Sequence, residues 1–321
     1  MKASTREALL EALQPSIPPK QIFENIPLSS YTTLRLGGPA DVLVECAGVE
    51  QITAAMTAAA ALEVPLTILG NGSNLLVRDG GIRGLVLHVG GSFAAVSDPV
   101  PLPDGRFALT AQGGATLQKL SNAAADCSLG GLEFASGIPG TVGGAVYMNA
   151  GAYGGEMKDV VTGVTAVDAD GRTIAFSNEE MDFGYRHSVL SGLNRPVTVT
   201  SVTVSLPRGD EETIRATMRE FSARRREKQP ITLPSCGSTF KRPVGQFAGT
   251  LIDQCGLKGL RVGGASVSTL HAGFLVNDGE GTSADYLALI AEVQRIVYEK
   301  TGVRLEPEVR ILGEDTCAAE I

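Results

Sequence analysis

Residues 66–74 read LTILGNGSN, a short apolar run followed directly by a glycine-rich turn. The apolar run predicts a β-strand, and the two glycines after it allow successive backbone N–H groups to converge on one point. Such a nest suits a pyrophosphate, although an ordinary tight turn explains the same residues. The candidate pyrophosphate ligands are Gly70, Asn71, Gly72, Ser73 and Asn74.

A second glycine cluster is denser. Residues 136–145 read SGIPGTVGGA, and YMNAGAYGG follows at 147–155. Because each glycine costs conformational entropy on folding, this density favours close contact with a flat or anionic ligand over a purely structural set of turns. The candidate ligand-binding residues here are Gly137, Gly140, Thr141, Gly143, Gly144 and Ala145.

A third glycine segment matches the dinucleotide fingerprint without its chemistry. Residues 279–284 fit G-x-G-x-x-A, but Asp278 and Glu280 would repel a pyrophosphate. Thr282 followed by Asp285 instead indicates the start of a helix. We therefore interpret this segment as a loop, and any dinucleotide must bind outside a Rossmann fold.

Composition excludes several functional classes. The chain has 321 residues, which suggests two domains, and its net charge of −8 argues against a nucleic-acid partner. The apolar stretch at 54–70 is interrupted by Glu63 and Pro65, so we expect no membrane span, and Arg6 interrupts any signal-peptide core. The five cysteines fit no disulfide framework, and the three histidines predict no metal site. We expect a reduced, cytoplasmic protein.

The chain alternates strand and helix patterns. Strands are predicted at 41–46, 66–70 and 196–206, with a hairpin turn at Asp168–Gly171. A helix is predicted at 210–228 because acidic residues begin it and basic residues end it, as the helix dipole favours. We place a domain boundary near the proline that precedes this helix.

Six segments, taken in order, resemble the UDP-N-acetylenolpyruvoylglucosamine reductases. They are LGNGSNLLVRDGGIRGLV, GLEFASGIPGTVGGAVYMNAGAYGGE, DFGYRHS, CGSTFKRP, LIDQCGLKG and LEPEVRILG. The likeness extends over residues 25–313, which is nearly the whole chain. Unrelated proteins would not share six such segments in one order.

The resemblance implies an α+β fold with an FAD-binding domain of the vanillyl-alcohol-oxidase (PCMH) type, followed by a smaller α/β substrate-binding domain. The expected boundaries are 1–25 for an N-terminal helical segment, 26–208 for the FAD-binding domain and 209–321 for the UDP-sugar-binding domain. The two glycine loops at 70–74 and 136–145 would then hold the pyrophosphate of FAD and flank the flavin.

The resemblance also implies an activity. NADPH would reduce a non-covalent FAD, which would reduce the enolpyruvyl ether of a UDP-sugar to a D-lactyl ether. This reaction belongs to peptidoglycan precursor synthesis, and so to cell-wall formation, cell shape and cell division. The expected partners are the UDP-sugar and NADPH alone, with no nucleic acid, no membrane and a monomeric chain.

Three catalytic residues carry over by position. Ser238 matches the family's proton donor, while Arg186 and Glu308 match the residues that polarise the substrate carboxylate and its enolate. An arginine can pair with both carboxylate oxygens at once. The charge state of Glu308 stays open, because a protonated carboxyl would donate to the enolate and an ionised one would repel it. The residues expected to bind substrate are Tyr185, Lys228, Gln229 and Arg310.

One departure from the family pattern concerns a tyrosine. Some members carry an extra segment whose tyrosine closes over the substrate, but only HSVLSGLNR separates Arg186 from the next strand here. The chain therefore resembles the shorter, second type, and that tyrosine has no counterpart.

Two other functions compete with the reductase. A sugar or alcohol oxidase with the same FAD-binding fold would share the glycine loops, and covalent flavin attachment would need a residue such as His88, around which no attachment motif is present. A non-catalytic nucleotide-sugar binder would carry no flavin. We interpret Cys236 as packing, because nothing pairs it with a base, and His271 as a structural hydrogen-bonding residue.

Overall fold

The computed structural model describes residues Met1–Thr316, and within that range helices and strands alternate along the chain. The α-helices are α1 Ala3–Leu13, α2 Val49–Ala61, α3 Leu117–Asp126, α4 Val142–Tyr147, α5 Glu211–Lys228, α6 Ala248–Gln254 and α7 Ser283–Thr301. Short 3₁₀ helices lie at Pro19–Gln21, Leu28–Tyr31, Glu133–Ala135, Met157–Asp159 and Val189–Gly192. None of the helices between Met1 and Thr316 combines the length and apolar character that a membrane span requires.

The strands are mostly short. They are β1 Ile22–Pro27, β2 Pro39–Glu45, β3 Leu66–Leu69, β4 Leu75–Val77, β5 Ile82–His88, β6 Val100–Pro101, β7 Phe107–Gln112, β8 Gly151–Ala152, β9 Gly155–Glu156, β10 Val161–Asp168, β11 Thr173–Ser177, β12 Val197–Leu206, β13 Ser235–Ser238, β14 Arg261–Val262, β15 Ala265–Val267, β16 Phe274–Asn277 and β17 Arg310–Leu312.

The chain divides into two compact units, each built from more than one segment. Unit 1 comprises Met1–Glu24, Val42–Asn71 and Gly84–Arg224. Unit 2 comprises Asn25–Asp41, Gly72–Arg83 and Arg225–Ile321, of which the structure describes the part up to Thr316.

Unit 1 contains most of two sheets. One has the strand order β1–β2–β5–β3, with β3 and β5 parallel, and the other has the order β11–β10–β12–β7–β6. In β12 the side chains of Val202 and Val204 point into the core, as expected for a strand with one buried face. A second core forms where α1 and α2 cover the first sheet, around Ile52 and Leu85.

Unit 2 carries a four-stranded sheet of order β13–β16–β15–β14, covered by α6 and α7. Helix α7 begins with the predicted capping box, in which Thr282 and Asp285 satisfy each other's backbone N–H groups. The amides of Ser283 and Ala284 also donate to the carboxylate of Asp79, at 2.8 and 2.9 Å. This helix start already holds an anion from its own chain, which confirms that residues 279–284 form a loop and a helix start.

The compact units do not follow the expected domain boundaries. Residues up to Arg224 stay with unit 1, because the ring of Tyr153 stacks on Phe221 of α5 at 4.3 Å between centroids. The early segment Gly72–Arg83 joins unit 2, because β4 pairs in parallel with β17. The assignment of an FAD-binding and a substrate-binding function to separate domains stays a prediction.

The predicted elements themselves are confirmed. The strands expected at 41–46, 66–70 and 196–206 are β2, β3 and β12, and the hairpin expected at Asp168–Gly171 joins β10 to β11. Helix α5 begins as its sequence predicts, because the Asp210 carboxylate accepts from the backbone N–H of Thr213 at 2.9 Å. Hydrogen bonds from the hydroxyl and the backbone N–H of Thr213 lower the pKa of the Asp210 carboxyl.

Candidate active site

Ser238 lies at the end of a bulged strand in unit 2. Strand β13 pairs with β16 so that Ser235 faces Val276 and Ser238 faces Phe274. Three steps along β13 therefore match two along β16, and the extra residue is accommodated at Gly237, whose φ is +79°. A glycine adopts this conformation without the steric cost that other residues meet. The bulge leaves the Ser238 side chain exposed, as bulges beside functional sites commonly do.

Glu308 lies next to this strand, although it is about 70 residues further along the chain. Its backbone N–H donates to the carbonyl of Thr239 at 2.8 Å, so it is tied to the residue that follows Ser238. The side-chain amide of Asn74 donates to the Glu308 carbonyl at 3.1 Å, and the Arg310 N–H donates to the Asn74 carbonyl at 3.0 Å. Two of the three predicted catalytic residues are thus brought together by backbone hydrogen bonds, and the Glu308 side chain is half-buried.

Arg186 lies at the tip of a tight turn in unit 1. Gly184 and His187 exchange backbone hydrogen bonds of 3.1 and 3.3 Å around Tyr185 and Arg186. Arg186 has a φ of +53°, which is uncommon for a residue other than glycine or asparagine and costs about 1–2 kcal/mol. A conformation of this kind persists only where the surrounding structure enforces it, and it is concentrated at functional sites.

Asn149 anchors one end of this turn. Its side chain is buried, and its Nδ2 donates to the Gly184 carbonyl at 3.0 Å and to Oε2 of Glu156 at 2.6 Å. Its Oδ1 accepts from the Lys158 N–H at 3.0 Å. Sequence reasoning missed Asn149 as a support, because an asparagine among glycines gives no sign of which distant carbonyl it will meet.

The glycine loops meet within unit 1 through Gly70 and Thr141. A Cβ at Gly70 would lie 2.5 Å from Oγ1 of Thr141, so the end of β3 approaches the start of α4 too closely for any side chain. Thr141 caps α4 by accepting from the Gly144 N–H at 3.2 Å. The backbone at the end of β3 therefore packs directly against the Thr141 side chain at the start of α4.

A third backbone segment, at Gly113–Ala115, contacts the start of α4. The Gly143 N–H donates to the Gly113 carbonyl at 2.8 Å, and the Val142 N–H donates to the Ala115 carbonyl at 2.7 Å. Gly144 is exposed, and a Cβ there would touch only Oγ1 of Thr141, at 3.4 Å. Gly144 therefore leaves a small exposed surface without a side chain, where a flat ligand could approach the backbone closely.

Gly72 has a structural reason of its own. Its φ is +60°, and a Cβ would lie 2.1 Å from the Tyr31 carbonyl oxygen. The Thr33 N–H also donates to the Gly72 carbonyl. The tight-turn explanation therefore holds for Gly72 itself, whereas a contact of residues 70–74 with FAD stays a prediction.

The predicted substrate-binding residues are mostly exposed. Tyr185, at the tip of its turn, is 58 % exposed, and Lys228 is exposed at the end of α5. Arg310 is exposed at the start of β17. Gln229 lies just beyond α5 and donates its backbone N–H to the Arg225 carbonyl within the helix. Their roles stay predictions.

Three other potentially reactive side chains, Cys236, His88 and His271, are buried or hydrogen-bonded within the fold. Burial raises the pKa of the Cys236 thiol to about 11, so this cysteine is no thiolate nucleophile at neutral pH. His88 pairs with Glu45 at 3.7 Å and hydrogen-bonds the Gly70 backbone, and burial lowers its pKa. His271 accepts the Gly273 N–H at Nδ1, at 3.1 Å, and burial lowers its pKa as well. The structural interpretation of Cys236 and His271 agrees with these contacts.

Comparisons with known proteins match both parts of the chain. Residues 40–177 match the model of an FAD binding domain, and residues 229–312 match that of the UDP-N-acetylenolpyruvoylglucosamine reductase C-terminal domain. The predicted fold class, an α+β chain with an FAD-binding domain followed by a second domain, is confirmed.

Whole-chain relatives agree. The UDP-N-acetylenolpyruvoylglucosamine reductase of Limosilactobacillus fermentum is 48% identical over 96% of this chain and 99% of its own length, and that of Agathobacter rectalis is 45% identical over 96% and 99%. The crystal structure of the Thermus caldophilus reductase is 38% identical, covers 90% of this chain and 98% of its own, and superposes with a TM-score of 0.75. This chain belongs to the UDP-N-acetylenolpyruvoylglucosamine reductase family.

Proposed function

We propose that this protein uses NADPH and bound FAD to reduce UDP-N-acetyl-3-O-(1-carboxyvinyl)-glucosamine to UDP-N-acetylmuramate, as a cytoplasmic monomer in peptidoglycan precursor synthesis. The observation that carries the proposal is the junction at Thr239, where an exposed Ser238 and the backbone of Glu308 are joined. The proposed proton donor and a carboxyl group are thereby carried on neighbouring backbone, where both could act on one enolpyruvyl ether.

FAD is proposed to bind where β3 ends and α4 begins. Gly70, Thr141 and Gly144 are proposed to lie against FAD, with the exposed Gly144 allowing close approach because it has no side chain. When bound, FAD supplies hydride transfer, which no protein side chain provides. The protein's part is to position the substrate, stabilise its charge and deliver a proton.

Arg186 is proposed to bind the substrate carboxylate. Addition of hydride to the terminal carbon of the enolpyruvyl group places negative charge on the neighbouring carbon and its carboxylate. A guanidinium can meet both carboxylate oxygens with parallel hydrogen bonds, which an ammonium cannot. Stabilising charge that develops in the transition state is usually the largest catalytic contribution, about 10²–10³-fold for one donor.

Ser238 is proposed to donate the proton that completes the reduction. A serine hydroxyl is a weak acid, but a carbanion-like enolate is a strong enough base to accept its proton. The exposed position of Ser238 at the end of the bulge leaves its Oγ accessible to a substrate. Proton transfer by a positioned group typically contributes ~10²–10⁴-fold.

Glu308 is proposed to act on the enolate as a hydrogen-bond donor. That role requires a protonated carboxyl, because an ionised one would repel the developing charge. The residues proposed to hold the UDP-sugar are Tyr185, Lys228, Gln229 and Arg310. Lys228 and Arg310 would face its diphosphate. Lys228 would also lie near the nicotinamide.

The proposal is tested by substrate-dependent oxidation of NADPH. The purified protein should be yellow and should oxidise NADPH with enolpyruvyl UDP-N-acetylglucosamine at least tenfold faster than without it. Equal rates with and without the UDP-sugar would contradict the proposal, and a colourless protein that binds UDP-sugars would identify a binding protein. Light scattering during size-exclusion chromatography tests the monomer.

A further inference from the structure

We propose that Tyr286 is a positioning residue for the reduction, because its phenol holds the β-bulge that presents Ser238. Tyr286 lies on α7, and its side chain is fully buried beneath β13. This inference rests on the proposed role of Ser238 as proton donor. Neither the family resemblance nor the glycine loops point to this residue.

The bulge changes which side chains face the interior. In a regular strand Cys236 and Thr239, three positions apart, would point to opposite faces of the sheet. The extra residue at Gly237 turns both to the same side, and both are buried, at 2% and 0% exposure. Ser238, between Gly237 and Thr239, is left on the outside.

The Tyr286 hydroxyl spans the two sides of this bulge. Its oxygen lies 3.1 Å from Sγ of Cys236 and 3.1 Å from Oγ1 of Thr239. It also donates to the Leu275 carbonyl on the paired strand β16, at 3.2 Å. One phenol therefore ties together the residue before the bulge, the residue after it and the neighbouring strand.

One set of donors satisfies every group in this network. The phenol donates to Leu275 and accepts from the thiol of Cys236 and the hydroxyl of Thr239. Oγ1 of Thr239 in turn accepts from the Leu275 N–H at 3.3 Å. Burial raises the pKa values of both Cys236 and Tyr286, which keeps the two groups protonated and able to donate at neutral pH. A fully satisfied buried network of this kind fixes one local geometry.

The network also reaches Glu308. The backbone of Thr239 donates to the Gly273 carbonyl at 2.9 Å and accepts from the Glu308 N–H at 2.8 Å. Fixing Thr239 thus fixes the Ser238 backbone on one side and the Glu308 backbone on the other. Loss of the phenol oxygen would free the bulge to shift, and Ser238 would move relative to Glu308.

Tyr286→Phe tests the inference, because it keeps the ring and removes only the oxygen. We expect full FAD content and NADPH-dependent flavin bleaching within about twofold of the wild-type rate. Reoxidation by the enolpyruvyl substrate should slow about tenfold or more, since a shift of a reacting group by ~1 Å can cost up to ~10²-fold. The solvent deuterium isotope effect on reoxidation should rise, because proton transfer from a displaced Ser238 becomes slower.

Ser283→Ala is the matched control. Ser283 lies on the same helix, is fully buried, and donates its hydroxyl to the Val77 carbonyl at 2.6 Å. Its loss removes one buried hydrogen bond in unit 2 without touching the bulge. We expect a similar fall in thermal stability with an unchanged reoxidation rate and isotope effect. Equal slowing in Ser283→Ala and Tyr286→Phe would show a general effect of stability and overturn the inference.

Ser238→Ala in the same assay separates the two hypotheses. If Ser238→Ala reoxidises normally, the proposed function of Ser238 fails and the inference fails with it. If Ser238→Ala is slow while Tyr286→Phe is normal, the inference alone is wrong. Should Tyr286→Phe not fold, Cys236→Ala, which removes one arm of the network, should slow reoxidation about threefold by the same displacement, and a wild-type rate would overturn the inference.

Discussion

The turn that carries Arg186 and the strand that carries Ser238 both depart from regular backbone, but they do so in opposite ways. At the turn, the functional residue itself adopts the left-handed conformation, with a φ of +53°. At the strand, the neighbouring Gly237 adopts it, with a φ of +79°, and Ser238 stays in the strand. The strain falls on the catalytic candidate in one region and on a glycine beside it in the other.

The difference shows what each region needs from its surroundings. A non-glycine residue at positive φ is held against its preference, so the Arg186 turn depends on the buried amide of Asn149. The glycine bulge has no such preference to overcome, so the network around it selects one geometry rather than opposing strain. At the turn, Arg186 therefore carries both the backbone strain and the proposed side-chain function, whereas at the strand these belong to different residues, Gly237 and Ser238.

Replacement of Arg186 is expected to have the largest effect. Arg186→Lys should slow flavin reoxidation by substrate ~10²–10³-fold although the charge is kept, because an ammonium cannot form the paired hydrogen bonds. FAD content should stay unchanged. Rapid-mixing measurement of both half-reactions checks this, and near-normal reoxidation by the lysine variant would show that a point charge suffices.

Arg186→Gly and Arg186→Ala measure the backbone strain at the turn through their stability. Both lose the guanidinium, but only glycine accepts a φ of +53° without strain. We expect Arg186→Gly to be more stable than Arg186→Ala by about 1 kcal/mol, with both inactive in reoxidation. Urea denaturation measures the difference, and equal stability would mean that the turn relaxes once the arginine is gone.

Ser238→Ala is expected to have the next largest effect. The variant should retain FAD and bleach normally with NADPH, while reoxidation by substrate slows ~10²-fold or more. Its free energy of unfolding should change little, because the Ser238 side chain is exposed. Retention of more than about a tenth of the wild-type reoxidation rate would contradict a proton donor of that magnitude.

Gly237→Ala tests the backbone side of the comparison with a smaller effect. A Cβ at Gly237 would meet no atom within 4 Å, so the substitution acts through φ alone. We expect a loss of about 1 kcal/mol in unfolding free energy and reoxidation slower by about tenfold, because the bulge shifts Ser238. Gly245→Ala is a matched control, since Gly245 also has a positive φ, of +71°, and open space around its Cβ. A comparable stability loss with normal reoxidation is expected there.

Much of the fold follows from local sequence, and the part that does not has a clear cause. The run of valines and threonines in β12 and the Thr282–Asp285 capping box gave the correct elements, because periodicity and caps act over a few residues. The division into units was not predictable in this way. It depends on β4 pairing with β17, two segments that are far apart in the chain and too short to show a pattern.

The candidate site residues also differ in whether local sequence identifies them. Arg186, Ser238 and Glu308 could be named because their motifs resemble those of a family. The supports Asn149, Thr239 and Tyr286 could not, because each acts through a hydrogen bond to a residue distant in sequence. A buried tyrosine on an apolar helix face reads as ordinary core until the position of its hydroxyl is known.

The last prediction concerns the glycine loops and has the smallest expected effect. Gly144 and Gly72 are both glycines in predicted FAD loops, but only Gly144 has an open Cβ position, whereas one at Gly72 would collide with the Tyr31 carbonyl. Gly72→Ala should therefore destabilise the protein whether or not FAD is bound, and it cannot report on the cofactor. Gly144→Ala can, because alanine within α4 should raise the stability of the apoprotein by about 0.5–1 kcal/mol.

If the Gly144 backbone contacts FAD, the added methyl group should nevertheless weaken FAD binding by about fivefold, which is about 1 kcal/mol. Titration of apoprotein with FAD, followed by flavin fluorescence, measures this beside the melting temperature. We expect the apoprotein to become more stable while FAD affinity falls. The stability depends on the helix propensity of residue 144, whereas the affinity depends on the open space beside its backbone. Unchanged FAD affinity with higher stability would make this glycine purely structural and would remove the start of α4 from the cofactor site.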